Sequence, residues 1–130
     1  MRTELLTYLT EALTGSIKTS QELPWAEGNN PLYLKNMRRV YLDETVKTQS
    51  QLVPVLDSSD IMETVNTVKG YLALDAKNRN ADLDTALAVL AGARTAATIS
   101  NAFRKEFDYT SSINGDTIVY EFEYRFHTLT

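Results

Sequence analysis

The longest alternation of apolar and polar positions lies near the C-terminus, where Ile118, Tyr120, Phe122, Tyr124 and Phe126 interleave with Val119, Glu121, Glu123, Arg125 and His127. A period of two built from β-branched and aromatic residues specifies a strand with one buried face. The stretch from Phe103 to Ile113 supplies its partner, and Asn114-Gly115 between them offers the two φ > 0 residues of a type I′ turn. A two-residue loop there places Tyr109 opposite Tyr120, Phe107 opposite Phe122 and Phe103 opposite Phe126. The same register sets Asp108 against Glu121, Glu106 against Glu123 and Arg104 against Arg125, all like-charge pairs. A four-residue loop gives Glu106 opposite Arg125 instead, and loses the Phe103–Phe126 match. Both registers keep the aromatic face inward and the charged face outward, whereas a one-residue slip would reverse every side chain.

Elsewhere the period changes. Leu5, Leu6, Leu9 and Leu13 recur at helical spacing and predict an amphipathic N-terminal helix, with Gly15 as its left-handed cap. Residues 16–23 alternate loosely and suggest a short strand. The stretch from Leu23 to Asn36 holds Pro24, Gly28, Asn29, Asn30 and Pro31, which is loop composition, together with Trp25, the only tryptophan. Met37 to Lys47 reads as a strand centred on Val40-Tyr41-Leu42, and 50–60, with Pro54 and Asp57-Ser58-Ser59-Asp60, as a second loop. Alternation resumes from Ile61 to Asp75, where Gly70 signals a bulge or a close backbone approach. Asn80 to Ala102 predicts an alanine-rich helix, capped by Asn80 or Asp82, whose few charges imply cover on more than one side.

The fold class that follows is α+β. A small, mostly antiparallel sheet carries the N-terminal helix and the Ala-rich helix on one face and ends in a β-hairpin. The 130 residues fit one domain, 1–130, with long loops near 24–36 and 50–60. Both loops show few core anchors and are expected to settle against neighbouring molecules on assembly. The absence of cysteine excludes disulfides and thiolate chemistry and favours a reducing compartment. A net charge of −4 argues against a phosphate-binding surface, so specific nucleic-acid binding is not expected. No apolar run is long enough to span a membrane.

Chemistry-bearing patterns are sparse. The sequence holds neither a glycine-rich phosphate loop nor a G-x-S-x-G elbow. His127, the only histidine, reads as an exposed strand-end residue rather than a general base. Asp75 to Asp84 departs from a calcium loop in lacking the sixth-position glycine and the twelfth-position glutamate. No catalytic residue, cofactor or metal is therefore assigned, and the chain is read as a non-enzyme. Candidate partner contacts are Trp25, Arg38, Arg39, Asp57, Asp60, Glu121, Glu123 and Arg125. Trp25 suits a recognition anchor in a loop. The Arg38-Arg39 doublet reads either as edge protection or as a contact to an acidic subunit. Glu121 and Glu123 interleave with the aromatic stripe, which makes that stripe a core rather than a base-stacking platform.

In element order the chain resembles the tail terminator, or tail-to-head joining, proteins of long-tailed bacteriophages. The stretches that carry the likeness are Pro31 to Glu44, Thr64 to Ala76, and Phe107-Asp108-Tyr109 leading into Val119 to Phe126. The resemblance implies a structural virion protein at the head-proximal end of the tail, assembled in the host cytoplasm. Such proteins form six-membered rings on the tail tube, end its polymerisation and present a surface to the head connector. Its partners would be further copies of itself, the tail tube protein and the connector protein, with DNA passing through the ring. The acidic face after residue 105 would border that channel. The competing expectation is a small cytosolic, sheet-based protein-binding module with a regulatory or immunity role.

Overall fold

Alternation from Ile61 to Asp75 becomes a 15-residue strand that organises the rest of a computed structural model describing residues 1–53, 61–75, 81–97 and 102–129. The elements in chain order are α1 (Arg2–Ala12), β1 (Lys18–Thr19), β2 (Arg39–Leu42), β3 (Val46–Val53), β4 (Ile61–Asp75), α2 (Ala81–Ala96), β5 (Ala102–Asn114) and β6 (Thr117–Leu129). They form a mixed α+β fold with a six-stranded sheet in the order β1-β2-β4-β6-β5, β3 lying beside β4. Among the described residues only the short β1–β2 pairing is parallel. Neither described helix is long and apolar enough to cross a membrane.

β4 and β6 pair without interruption from Glu63↔Leu129 to Asp75↔Thr117. Their even-numbered residues point into the core, where Val68, Leu72, Tyr120, Tyr124 and Phe126 cluster with Leu5 and Leu9 of α1 and Leu83 and Leu90 of α2. Each such side chain contributes roughly 1.5–3 kcal/mol on burial. The Tyr124 hydroxyl donates to the Leu90 carbonyl at 2.5 Å, and burial pushes its pKa up. Gly70 is the close approach that its position suggested. It stands opposite Phe122, and a Cβ built there would lie 2.0 Å from the ring.

Along the other side of β4, the strand anticipated from Met37 to Lys47 is two strands in succession. β2 pairs at Tyr41↔Tyr71 and Leu42↔Gly70, and β3 begins at Val46↔Thr67. The register advances by one residue between them, and the Asp43 amide bridges the break by donating to the Lys69 carbonyl at 2.7 Å. β3 continues to Val53, so the first residues of the second anticipated loop are paired; 54–60 lie outside the described residues.

Local expectations differ at three further points. The helix α1 stops at Ala12 with an extended Leu13 (φ −85°), because Leu13 turns inward to the core; Gly15 takes no left-handed conformation. The helix α2 ends at Ala96 rather than near Ala102, since Ala102 already pairs with Thr128 in the sheet. The Asn80 cap lies outside the described residues. β5 and β6 are joined by Gly115-Asp116, not Asn114-Gly115, with a positive φ (62°) at Gly115 and none at Asn114 or Asp116. One left-handed residue in the first loop position is the type II′ pattern. This register brings Glu106 opposite Arg125 with a two-residue loop, and relieves two of the like-charge pairs of the alternative.

The segment 24–36 is better anchored than its composition suggested. Asn36 is buried, and its amide donates to the carbonyls of Gly28 (3.1 Å) and Asn30 (2.9 Å). Pro31 is buried as well. The segment reaches the second face of the sheet, where Trp25 meets Tyr71 edge-on at 4.4 Å. Beside that contact Tyr41 and Ala73 are buried, although they occupy the polar phase of their strands.

Substituting Gly70→Ala is expected to destabilise the protein by about 1–3 kcal/mol, as overpacking does. Denaturant unfolding should show the loss, and Gly70→Ala combined with Phe122→Leu should cost less than the sum of the two single changes.

Candidate functional site: the charged sheet face

The odd-numbered residues of β4 and β6 and the even-numbered residues of β5 share the face opposite the core. Near the loop end this face is aromatic, with Tyr71 under Trp25. Further along it becomes ionic. Arg125 is central: its guanidinium binds Asp108 and lies 3.3 Å from Glu123 and 3.4 Å from Glu106. Asp108, ahead of the other carboxylates, pushes the Arg125 pKa further up. One arginine thus joins carboxylates that face each other across β5 and β6, where Asp108 pairs with Glu123. Without it those like charges would repel across a single cross-strand distance.

His127 extends the network to β4. Nδ1 is 2.5 Å from Glu63 Oε1 and Nε2 contacts Glu106 Oε1, while Arg104 approaches the same Glu106 oxygen at 3.4 Å. The hydrogen bond from His127, more than the neighbouring arginines, holds the Glu106 carboxyl below the usual carboxylate range. A bulge between Ala102 and Arg104 carries Phe103 out of the aromatic stripe, and its ring stands 6.0 Å from the His127 ring. Phe103 therefore does not pair with Phe126, and Lys105 does.

Between the aromatic and ionic parts runs an open groove of about 180 Å³, lined by Lys69, Tyr71, Asp108, Thr110, Glu121 and Glu123 among others. Burial raises the Tyr71 pKa, with Asp43 and Glu121 adding to the effect. Among the described residues no group of three or more His, Asp or Glu side chains is arranged to hold a metal ion.

The structure gathers some of the sequence-derived contacts and separates others. Glu121, Glu123 and Arg125 line one face along β6, and Trp25 borders it through Tyr71, the residue opposite Glu121. Trp25 is half exposed and has a left-handed backbone (φ 54°), which is uncommon for a bulky residue. Arg38 and Arg39 sit instead at the β1–β2 margin. Arg38 is also left-handed (φ 65°); its amide donates to the Ala73 carbonyl and its guanidinium to Ser16 Oγ at 3.1 Å. Arg39 is exposed and stands opposite Lys18. Asp57 and Asp60 lie outside the described residues.

Sequence reasoning missed the Glu63–His127–Glu106 bridge. The period of two places Glu106, Arg125 and His127 on one face, but Glu63 is 64 residues from His127 and only the β4–β6 register brings it there. His127 is consequently not an exposed strand end; 12% of its side chain is accessible.

No protein-family model matches the chain, and a search of curated proteins finds none that matches its sequence.

The depressed Glu106 pKa links this network to pH. A carboxyl whose folded pKa lies below its ordinary 4.5 contributes stability above that value and loses it as pH falls through the folded pKa. Glu106→Gln should therefore be less stable than the native protein near neutrality and show a flatter decline below pH 4.5 in acid denaturation.

Proposed function

We propose that the protein is a structural assembly subunit that closes into a ring, of the kind that caps a phage tail tube, ends its polymerisation and offers a surface to the head connector. One observation carries this reading: among the described residues the long strands β3 and β5 each lie at a margin of the sheet, and they run in opposite directions. β3 is antiparallel to β4, β4 to β6 and β6 to β5, so β3 and β5 are themselves antiparallel. Rotation about an axis along the strands preserves strand direction. It brings β5 of one copy beside β3 of the next as an antiparallel pair, which is a head-to-tail contact able to close on itself. Both edges are accessible, with residues 46–50 and 108–114 exposed, and Val46 and Ile113 are exposed apolar residues upon them. Edge strands left in this state invite pairing with another chain.

In this arrangement both helices cover one face of the sheet, and the terminal hairpin forms one of its margins. The helical side, being bulkier, faces outward and the charged face lines the channel. Glu63, Glu106, Asp108, Glu121 and Glu123 outnumber Lys69, Arg104 and Arg125 on that face. DNA crossing such a channel would meet a wall that does not bind phosphate. The tail tube and the connector would contact the two rims.

A second reading, a sheet-based protein-binding module, is favoured by the loop 24–36. Trp25, Leu32, Tyr33 and Leu34 are exposed there together, an apolar group suited to a single partner.

Native mass spectrometry over a concentration series separates the two. The ring reading expects a closed hexamer, alone or upon mixing with tail tubes. Val46→Lys with Ile113→Lys should abolish the hexamer and leave the melting temperature within about 2 °C, because exposed substitutions change stability little. A species that stops at monomer or dimer under all these conditions would remove the ring reading in favour of the module.

A further inference from the structure

His127 is held between two carboxylates that belong to different strands, and this geometry depends on a proton. Glu63 comes from β4 and Glu106 from β5, while the ring itself stands on β6. A neutral imidazole has one N–H and one bare nitrogen, so it can donate to only one of the two. The imidazolium donates to both, through charge-assisted bonds.

The charged groups around the ring decide which contact gives way. From β5 come Glu106 and Arg104, and from β6 comes Arg125, which also engages Asp108 and Glu123. From β4 comes Glu63, and the β3 residue opposite it, Ser50, carries no charge. Glu106 thus retains two arginines when the ring turns a lone pair toward it. Glu63 lacks a comparable cation among the described contacts and keeps the remaining N–H. The bulge at Phe103 already interrupts regular pairing at this end of β5.

We propose that His127 is a proton-operated clamp: its imidazolium ties β5 to β4 across β6, and loss of the proton to solvent releases that tie and loosens the start of β5, residues 102–106, which keeps only its contacts to β6. Phe103, exposed and tilted beside the ring, flanks the clamp. The inference does not rest on the ring reading, although β5 is an edge in that reading and its order would then vary with pH.

Amide hydrogen exchange on the full chain, corrected for intrinsic rates and recorded beside the His127 ring resonances, tests the clamp over the pH range in which the protein stays folded. As the ring loses its proton, protection at Arg104–Glu106 should fall by about tenfold, the order of one hydrogen bond to a charged group. Amides at Val68 and Tyr124 should keep theirs. His127→Gln should show no step at all. Glu106→Gln should retain the ring titration and lose the step in β5. Protection that stays level while the ring titrates, a ring that does not titrate in this range, or the same step in either variant would overturn the proposal. Should His127→Gln fail to fold, Glu106→Gln decides alone.

Discussion

Everything in this fold is referred to the ladder between β4 and β6. It runs unbroken for the whole of β6 and from Glu63 to the end of β4, so a single register assigns thirteen residues of each strand to the core or to the charged face. Phe122 over Gly70 helps to hold that register, because shifting the ladder would bring a side chain against the ring. From this spine the sheet grows outward in both directions. β2 and β3 follow one another along β4, while β5 follows β6 and ends in the Gly115-Asp116 turn. Tyr124 ties the spine to α2 through the Leu90 carbonyl, fixing the helix against the sheet by a directional bond as well as by packing.

The two faces of the spine solve different problems. The core face is apolar and its polar atoms are bonded; among the described residues no buried side-chain nitrogen or oxygen lacks a partner. The other face concentrates carboxylates on adjacent strands, an arrangement that repels unless cations are interleaved. Arg125 supplies one on β6, joining Asp108 of β5 to Glu123, and two residues on the His127 ring bridges Glu63 of β4 and Glu106 of β5. The result is a face that stays acidic yet is internally cross-linked, suited to contact with water, with a channel or with a basic partner. Among the described residues, β3 and β5 border the sheet on either side of it.

Legibility in the sequence followed how local each determinant is. The limits of β4 and the burial of Tyr120, Phe122, Tyr124 and Phe126 were evident because period-two alternation is a property of neighbouring residues. The helix end at Ala96 was not, since alanine continues a helix readily and only pairing of Ala102 with Thr128 requires a strand to have started by then. The turn was misplaced by one residue because Asn114-Gly115 is a strong local signal. The charge pairing of Glu106 with Arg125, several residues away, favours the register seen. The loop 24–36 looked weakly held because its anchor is polar: Asn36 clamps two carbonyls from a buried position that hydrophobic patterning does not mark.

The candidate site divides in the same way. By itself the sequence determined that Glu121, Glu123, Arg125 and His127 face away from the aromatic core, since adjacent residues of a strand point to opposite sides. It also determined that the segment carrying Trp25 is a connection and that the chain is acidic. Tertiary structure alone decided that Glu63 meets His127, that Arg125 is shared among three carboxylates, and that Trp25 lies on Tyr71. Those contacts depend on strand order and register, which are set by the packing of the whole sheet and not by any short stretch of chain.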